Sequence, residues 1–255
     1  EAKELAIFAA REAGRILMED FGKKAKVSTK LKGEPVTESD IKSEERIIDL
    51  IREKYPGHSI IAEERGFLKG NSDYTWIVDP LDGTRNFLHE LPYFGVSIAL
   101  EHKREVVLGV VNLPCFNELY VTEKGKGAYL NGERITVSKK SLEESLLLYE
   151  SEFRRMGELA TMPFSDLATS VSAVRIFGSA SVSLTLIASG KAEAYITYNV
   201  KPGDIAGGAL ILEEAGGIVT DLEGTAWNSY MDRMVATNGR IHEEVLKILR
   251  NKLRI

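Results

Sequence analysis

Glu63 and Glu64, in the string Ala62-Glu63-Glu64, and Asp79 and Asp82, in Trp76-Ile77-Val78-Asp79-Pro80-Leu81-Asp82-Gly83-Thr84, stand close in sequence where β-type runs give way to turns. Hard divalent cations take oxygen ligands, and Mg²⁺ is typically held by a few carboxylates together with the phosphate of its substrate. The clustering therefore outlines a site for magnesium-dependent phosphate chemistry. Pro80 fixes the chain between the two aspartates in an extended or turn form that can aim both carboxylates at one point. Gly83-Thr84 then opens a short helical segment from Arg85 to Leu88. Free N–H groups at a helix start, approached over a glycine, suit a phosphate. The same Asp-Pro-x-Asp-Gly string also describes an ordinary turn.

Other acids extend the set. Adjacent strand residues point to opposite faces, so one of Glu63 and Glu64 can face a metal while the other is solvated, and Glu63 is the candidate. Asp204 precedes a helix beginning Ile205-Ala206-Gly207-Gly208, where an N-cap role and metal binding are compatible. Thr37-x-x-Asp40 reads as a capping box for an earlier helix. His58, His89, His102 and His242 are scattered without ligand spacing and read as packing or surface residues.

The elements that must position these residues follow from periodicity. Leu5, Phe8, Ala9, Ile16 and Leu17 predict an amphipathic helix ending near Gly22. After a loop at Gly33 to Pro35 a second helix is expected, with Ile41, Ile48, Ile51 and Tyr55 on its buried face and Pro56-Gly57 as its stop. Strands are predicted at Ser59 to Ala62, Thr75 to Asp79, Phe94 to Leu100, Val106 to Val111, Glu118 to Thr122 and Arg134 to Val137, with a hairpin turn at Asn131-Gly132. Further strands are expected near Leu146 to Tyr149, Val174 to Phe177, Ala192 to Thr197, Ile218 to Asp221 and Met234 to Thr237. They alternate with helices at Ser181 to Ser189, Asp204 to Ala215 and from His242 onward, and Ser151 to Ser172 reads as a polar stretch. The pattern is that of a mixed α/β protein of layered sheets and helices, with two subdomains, residues 1–140 and 141–255, meeting near Val137 to Glu150.

Composition limits the partners. The chain has 255 residues, 44% hydrophobic and 28% charged, which suits a globular enzyme rather than a disordered or fibrous protein. A net charge of −5 without a basic block argues against nucleic acid or an anionic membrane, so a small molecule is the expected partner. Cys115 is the only cysteine, no apolar run reaches bilayer-spanning length, and the first residues lack a signal-peptide pattern, so a cytoplasmic location is expected.

Glu63-Glu64, Asp79-Pro80-Leu81-Asp82-Gly83-Thr84 with Asn86-Phe87, Asp204-Ile205-Ala206-Gly207-Gly208 and Glu214-Ala215-Gly216-Gly217 together resemble, in order and over nearly the whole chain, the motifs of the inositol monophosphatase family. The resemblance implies a layered αβαβα sandwich, shared with fructose-1,6-bisphosphatases and the phosphatases of 3′-phosphoadenosine 5′-phosphate. It implies that Glu63, Asp79, Asp82, Asp204 and the Leu81 carbonyl bind two or three Mg²⁺, and that Gly83 and Thr84 hold phosphate through backbone N–H groups. Asp40, in Val36-Thr37-Glu38-Ser39-Asp40, and Thr84 would act with Glu63 as catalytic residues, Asp40 and Thr84 serving as base and relay for the attacking water. Paired metals of this kind clamp attacking and leaving oxygens and neutralise charge on the phosphoryl group, without a covalent phosphoenzyme. Inhibition by Li⁺ and a homodimer are further implications of the likeness.

Substrate choice is drawn from fewer residues. Gly178-Ser179-Ala180 matches the family segment that approaches the sugar, and is also a small-residue helix start; Arg175 and Lys201 are candidates for a second phosphate. Gly203 stands where relatives often carry tryptophan, and Thr197 near where inositol-selective members carry a glutamate and archaeal-type members an arginine. Inositol 1-phosphate and fructose 1,6-bisphosphate are the expected substrates. A nucleotide phosphatase is the alternative and would use Tyr195, Tyr198 or Phe177 to stack a base. A non-catalytic sugar-phosphate or metal-binding protein is the third reading.

Overall fold

The central strand runs Trp76 to Val78, Val96 to Leu100 and Val106 to Val111 are apolar at nearly every position, the pattern of a sheet covered on both faces. The computed structural model of the chain has that arrangement. It describes residues 1–23, 27–29, 35–149 and 152–253; Gly33 and Glu34 of the expected loop, and Glu150 and Ser151, lie outside them.

The first half runs α1 (Ala2–Asp20), β1 (Val27–Thr29), β2 (Pro35–Thr37), α2 (Glu38–Lys54), β3 (Ser59–Ala62), β4 (Gly66–Leu68), β5 (Tyr74–Asp82), α3 (Thr84–Leu88), β6 (Gly95–His102) and β7 (Glu105–Leu113). A 3₁₀ turn leads to β8 (Glu118–Glu123), β9 (Ala128–Leu130) and β10 (Glu133–Ile135). The remainder is β11 (Leu146–Tyr149), α4 (Phe153–Met156), α5 (Glu158–Ser170), β12 (Ala173–Arg175), α6 (Ala180–Ala188), β13 (Ala194–Tyr198), α7 (Pro202–Glu214), β14 (Ile218–Thr220), β15 (Arg233–Thr237) and α8 (His242–Leu253).

An eight-stranded sheet has the order β10-β9-β8-β7-β6-β5-β3-β4, antiparallel except where β3 runs parallel to β5. A five-stranded sheet has the order β12-β11-β13-β15-β14, and a two-stranded ribbon joins β1 to β2. Helices α1 and α2 cover one face of the large sheet, α6 and α7 fill the space between the sheets, and α5 and α8 cover the far face of the small sheet. The layers are therefore αβαβα, as the family likeness implies. On β6, Val96, Ile98 and Leu100 feed the α1/α2 layer, while Ala99 packs with Ala206 and Leu210 of α7. Alternation thus serves two cores at once. Helix α7 lies very close to the sheet: a Cβ on Gly109 of β7 would stand 2.6 Å from the carbonyl oxygen of Gly207.

Three local expectations change. Ile41 is exposed, because the inward stripe of α2 is Asp40, Glu44, Ile47, Ile48 and Ile51, and buried carboxylates rotate the helix away from the purely apolar solution. Phe8 of α1 is also exposed, because the buried stripe there is small-residue rich, running Leu5, Ala6, Ala9, Ala10, Ala13 and Leu17. The polar stretch after Tyr149 contains α4 and α5; Ala160, Pro163 and Leu167 bury one face of α5 despite the proline within it. The hairpin at Asn131-Gly132 forms as predicted, with φ of 50° and 87°.

His242, buried at the start of α8, contacts Thr220 Oγ1 through Nε2 (2.9 Å) and Thr237 Oγ1 through Nδ1 (3.0 Å). Thr220 donates its proton to the Asp221 carbonyl, so Nε2–H is the donor to Thr220 and Nδ1 accepts from Thr237. Burial lowers the pKa of this neutral ring below its ordinary 6.5. The folded chain then binds fewer protons than the unfolded one, and the stabilisation is complete above the unfolded pKa and lost as pH falls below it. The urea-unfolding free energy of wild type relative to His242→Gln is expected to decline as pH is lowered from about 7.5 through 6.5 to about 5. A difference that does not vary with pH would mean that His242 protonates without penalty.

Candidate functional site

Residues three apart on a regular strand face opposite ways, which would separate Asp79 from Asp82. Strand β5 avoids this with a bulge: Asp79 pairs with Ser97 and Asp82 with Gly95, three steps on β5 against two on β6. Pro80, which cannot donate to the ladder, sits inside the irregularity. Both carboxylates thereby turn to the inter-sheet layer. Asp79 Oδ1 accepts the Leu81 N–H at 3.0 Å, and Asp82 Oδ2 accepts Ser179 Oγ–H at 2.7 Å and Ser181 N–H at 2.6 Å from the start of α6.

Glu63 follows β3, whose parallel pairing of Ala62 with Val78 carries it beside Asp79. Asp204, in the first turn of α7, accepts the Lys201 N–H at 2.9 Å. The four acids line one cavity of about 960 Å³. Burial, followed by the charges of Glu63, Asp82 and Asp204, raises the pKa of Asp79 well above the usual carboxylate range. Burial also raises Asp82, against the opposing pull of its Ser179 and Ser181 hydrogen bonds. Asp204 is pushed up to about 7, first by burial and then by Asp82.

Among the described residues, no three histidine, cysteine or acidic side chains stand at the spacing of a closed metal centre. The acids are near enough to perturb one another's titration, yet each is held by its own N–H, O–H or ammonium donor. Lys201 Nζ, 3.2 Å from Glu63 Oε1, supplies the ammonium. As a donor set the cluster fits a hard divalent cation: every ligand is a carboxylate oxygen, and the accumulated negative charge is costly until protons or a cation offset it.

At the other end of the bulge Gly83 caps α3 with φ 95°, where a Cβ would lie 2.8 Å from the Tyr93 carbonyl oxygen. Only glycine fits that turn. Thr84 follows, its Oγ1 standing 3.1 Å from the Leu81 carbonyl and 3.3 Å from Asp40 Oδ1. Asp40 forms the expected capping box with Thr37 at the start of α2, and burial raises its pKa to about 6 against the Thr37 hydrogen bonds. Gly83 and Thr84 border the same cavity as the acids.

The expected substrate contacts are rearranged. Ser179 and Ala180 border the cavity, but the Ser179 hydroxyl is spent on Asp82 and on capping α6 through Val182 N–H. Lys201 points to Glu63 rather than standing apart for a second phosphate. Arg175 does not line the cavity; it is exposed on the edge strand β12, with its guanidinium on the Val174 carbonyl. Arg85, Arg154 and Arg155 line it instead. The Arg154-Arg155 pair was visible as a basic doublet within the stretch after Tyr149, but not the helical turn of α4 that brings it to the cavity. Asn86 lines the cavity too, its amide bridging the Tyr93 and Phe177 carbonyls at 2.7 and 2.6 Å.

A family model described as "Inositol monophosphatase family" matches residues 1–254. The fructose-1,6-bisphosphatase/inositol-1-monophosphatase of Thermotoga maritima is 38% identical over 248 residues, covering 96% of this chain and 94% of that protein. The Nus factor SuhB of Pasteurella multocida is 40% identical over 250 residues, covering 95% and 93%. The solved structure of extragenic suppressor protein suhB from Bartonella henselae superposes with a TM-score of 0.93 at 33% identity, covering 97% of each chain.

Because Asp204 is pushed up to about 7, it keeps a proton part of the time near neutrality, and a divalent cation binding beside it would displace that proton. Calorimetric titration of the chelator-stripped protein at about pH 7 is expected to give a heat that varies with buffer ionisation enthalpy, and less so in Asp204→Asn. Saturation at about a hundred times Kd should add about 2.7 kcal/mol of stability. Heats independent of buffer, with no thermal shift, would rule out the cluster as a cation site.

Proposed function

The chain belongs to the inositol monophosphatase family, a family of phosphatases acting on sugar phosphates, and from this we propose that it is a Mg²⁺-dependent phosphomonoester hydrolase of inositol 1-phosphate and fructose 1,6-bisphosphate. The observation that carries the proposal is the meeting of four carboxylates, the buried Asp79 and Asp82 with the half-buried Glu63 and Asp204, and the Gly83-Thr84 turn in one cavity. Glu63, Asp79, Asp82, Asp204 and the Leu81 carbonyl would hold the cations, two or three in number. Bound there, they supply positive charge to the phosphoryl group and acidify the attacking water.

The chain's own groups do the rest. Backbone N–H groups of Gly83 and Thr84 orient the phosphate oxygens. Thr84 has one hydroxyl proton facing two acceptors, Leu81 O and Asp40 Oδ1. Donation to Asp40 leaves the Leu81 carbonyl free as a ligand and turns the Thr84 lone pairs toward water. Asp40, held at about 6, is mainly ionised at neutral pH and takes up the proton. The cavity's arginines, Arg85, Arg154 and Arg155, suit an anionic, polyhydroxylated substrate. The stacking candidates of the nucleotide alternative, Tyr195, Tyr198 and Phe177, all border the cavity, but the two tyrosines are more than nine-tenths buried and Phe177 packs on Tyr93, so this alternative draws less support.

Phosphate release from inositol 1-phosphate, fructose 1,6-bisphosphate and 3′-phosphoadenosine 5′-phosphate, each with Mg²⁺ and with EDTA, tests this directly. Release from the first two that stops with EDTA is expected, and Asp82→Asn should lower kcat by at least about 100-fold with the fold intact. Near-normal turnover by that variant, or no Mg²⁺-dependent release from any substrate, would sink the proposal. Asp40→Asn should lower kcat by about 10² to 10⁴ while leaving Mg²⁺ affinity within about twofold. Wild-type kcat should fall below about pH 6 as Asp40 gains its proton. An unchanged acid limb in the variant would remove Asp40 from the role of base.

A further inference from the structure

Glu63 is half-buried, at the start of a turn on the edge of the large sheet. It begins the three-residue connection between β3 and β4, which close on each other by pairing Ala62 with Gly66. Strand β4 is the edge of the large sheet, and its Phe67 is 62% exposed, so little packing bears on the connection from outside. A ligand carried on a short edge turn needs a hold on its backbone if it is to keep a fixed place.

That hold comes from α2. Glu44 is only 1% exposed, and its two carboxylate oxygens each accept one N–H of the turn: Oε2 from Glu64 at 2.7 Å and Oε1 from Arg65 at 2.9 Å. The two residues following Glu63 are therefore gripped by one side chain in a charge-assisted, two-point contact. Glu44 lies one helical turn after Asp40 on the same inward stripe. A single capped helix thus carries both the acid beside Thr84 and the acid that fixes the Glu63 turn.

We propose that Glu44 is a positioning residue of the active site, fixing Glu63 relative to Asp40 by clamping the backbone of Glu64 and Arg65. The proposal rests on Glu63 being a cation ligand. Groups that orient a ligand from behind typically contribute about 10- to 100-fold in metal affinity or activity. A nearby pair provides the control: Arg65 also meets Glu45, but that ion pair is exposed and contributes little.

Mg²⁺ alone is titrated calorimetrically into wild type, Glu44→Gln, Glu63→Gln and Glu45→Ala. The amide of glutamine leaves only one acceptor oxygen for two N–H groups, so Glu44→Gln is expected to weaken Mg²⁺ about 10-fold or more. Its turnover should recover largely at saturating Mg²⁺, with Glu45→Ala indistinguishable from wild type. Loss of thermal stability with unchanged Mg²⁺ affinity in Glu44→Gln, alongside weakened binding in Glu63→Gln, overturns the positioning role alone. Unchanged affinity in Glu63→Gln overturns the ligand assignment beneath it. Amide hydrogen exchange in wild type needs no variant: Glu64 and Arg65 should exchange at least about 100-fold slower than open turn amides, and free exchange would show that the clamp does not hold.

Discussion

Like charges crowded into a buried space repel, and the structure around Glu63, Asp79, Asp82 and Asp204 is organised by that repulsion. Each carboxylate is restrained by an N–H, O–H or ammonium donor. Asp82 is drawn toward α6 by Ser179 and Ser181, Asp79 is turned back on its own strand by the Leu81 N–H, and Asp204 is tied to the residue before its helix. Lys201 offsets part of the charge at Glu63. These restraints keep the acids from splaying into solvent, and burial makes their joint ionisation unfavourable. In the proposed function, a small, hard, multiply charged ion bound there would offset that cost.

A cluster under such stress needs a stiff frame, and the layering provides one. Both faces of the large sheet are covered, so the bulge in β5 is embedded between two cores rather than free to relax. Helix α7 approaches β7 across the Gly109 and Gly207 contact, where side chains would hold the layers apart. Its first turn then lies against β5, where a Cβ on Gly203 would stand 3.0 Å from the Asp79 Cβ.

Much of this was legible in the sequence, and the exceptions have a common cause. Strand and helix order followed from periodicity, and the acids of the site stood out because carboxylates beside Pro and Gly at strand ends are seldom there for packing. Side-chain direction was harder. The family likeness placed Ser179 at the sugar, and Arg175 was a candidate for a second phosphate, yet Arg175 lies on an edge strand and the Ser179 hydroxyl faces Asp82. Hydropathy placed Ile41 inward and gave Glu44 no role, because an amphipathic stripe is scored on apolar atoms and α2 turns two carboxylates to the interior. The helix around Pro163 was hidden by its polar residues and its proline, and it packs on α8 and on Tyr149 of β11. In each case a long-range partner decided the outcome, and local sequence does not contain it.

The glycine contact beneath α7 also imposes an order on synthesis. Glu63, Asp79 and Asp82 emerge from the ribosome more than a hundred residues before Asp204. Until α7 has been made and seated on β7, the large sheet exposes three of the acids on one open face, with Ser179 and Lys201 also still to come. Repulsion is weak there, because water screens charges that the finished layer later buries. The nascent sheet can therefore fold first without bearing the electrostatic cost, which falls on the last docking step, when the core beneath α7 is available to meet it.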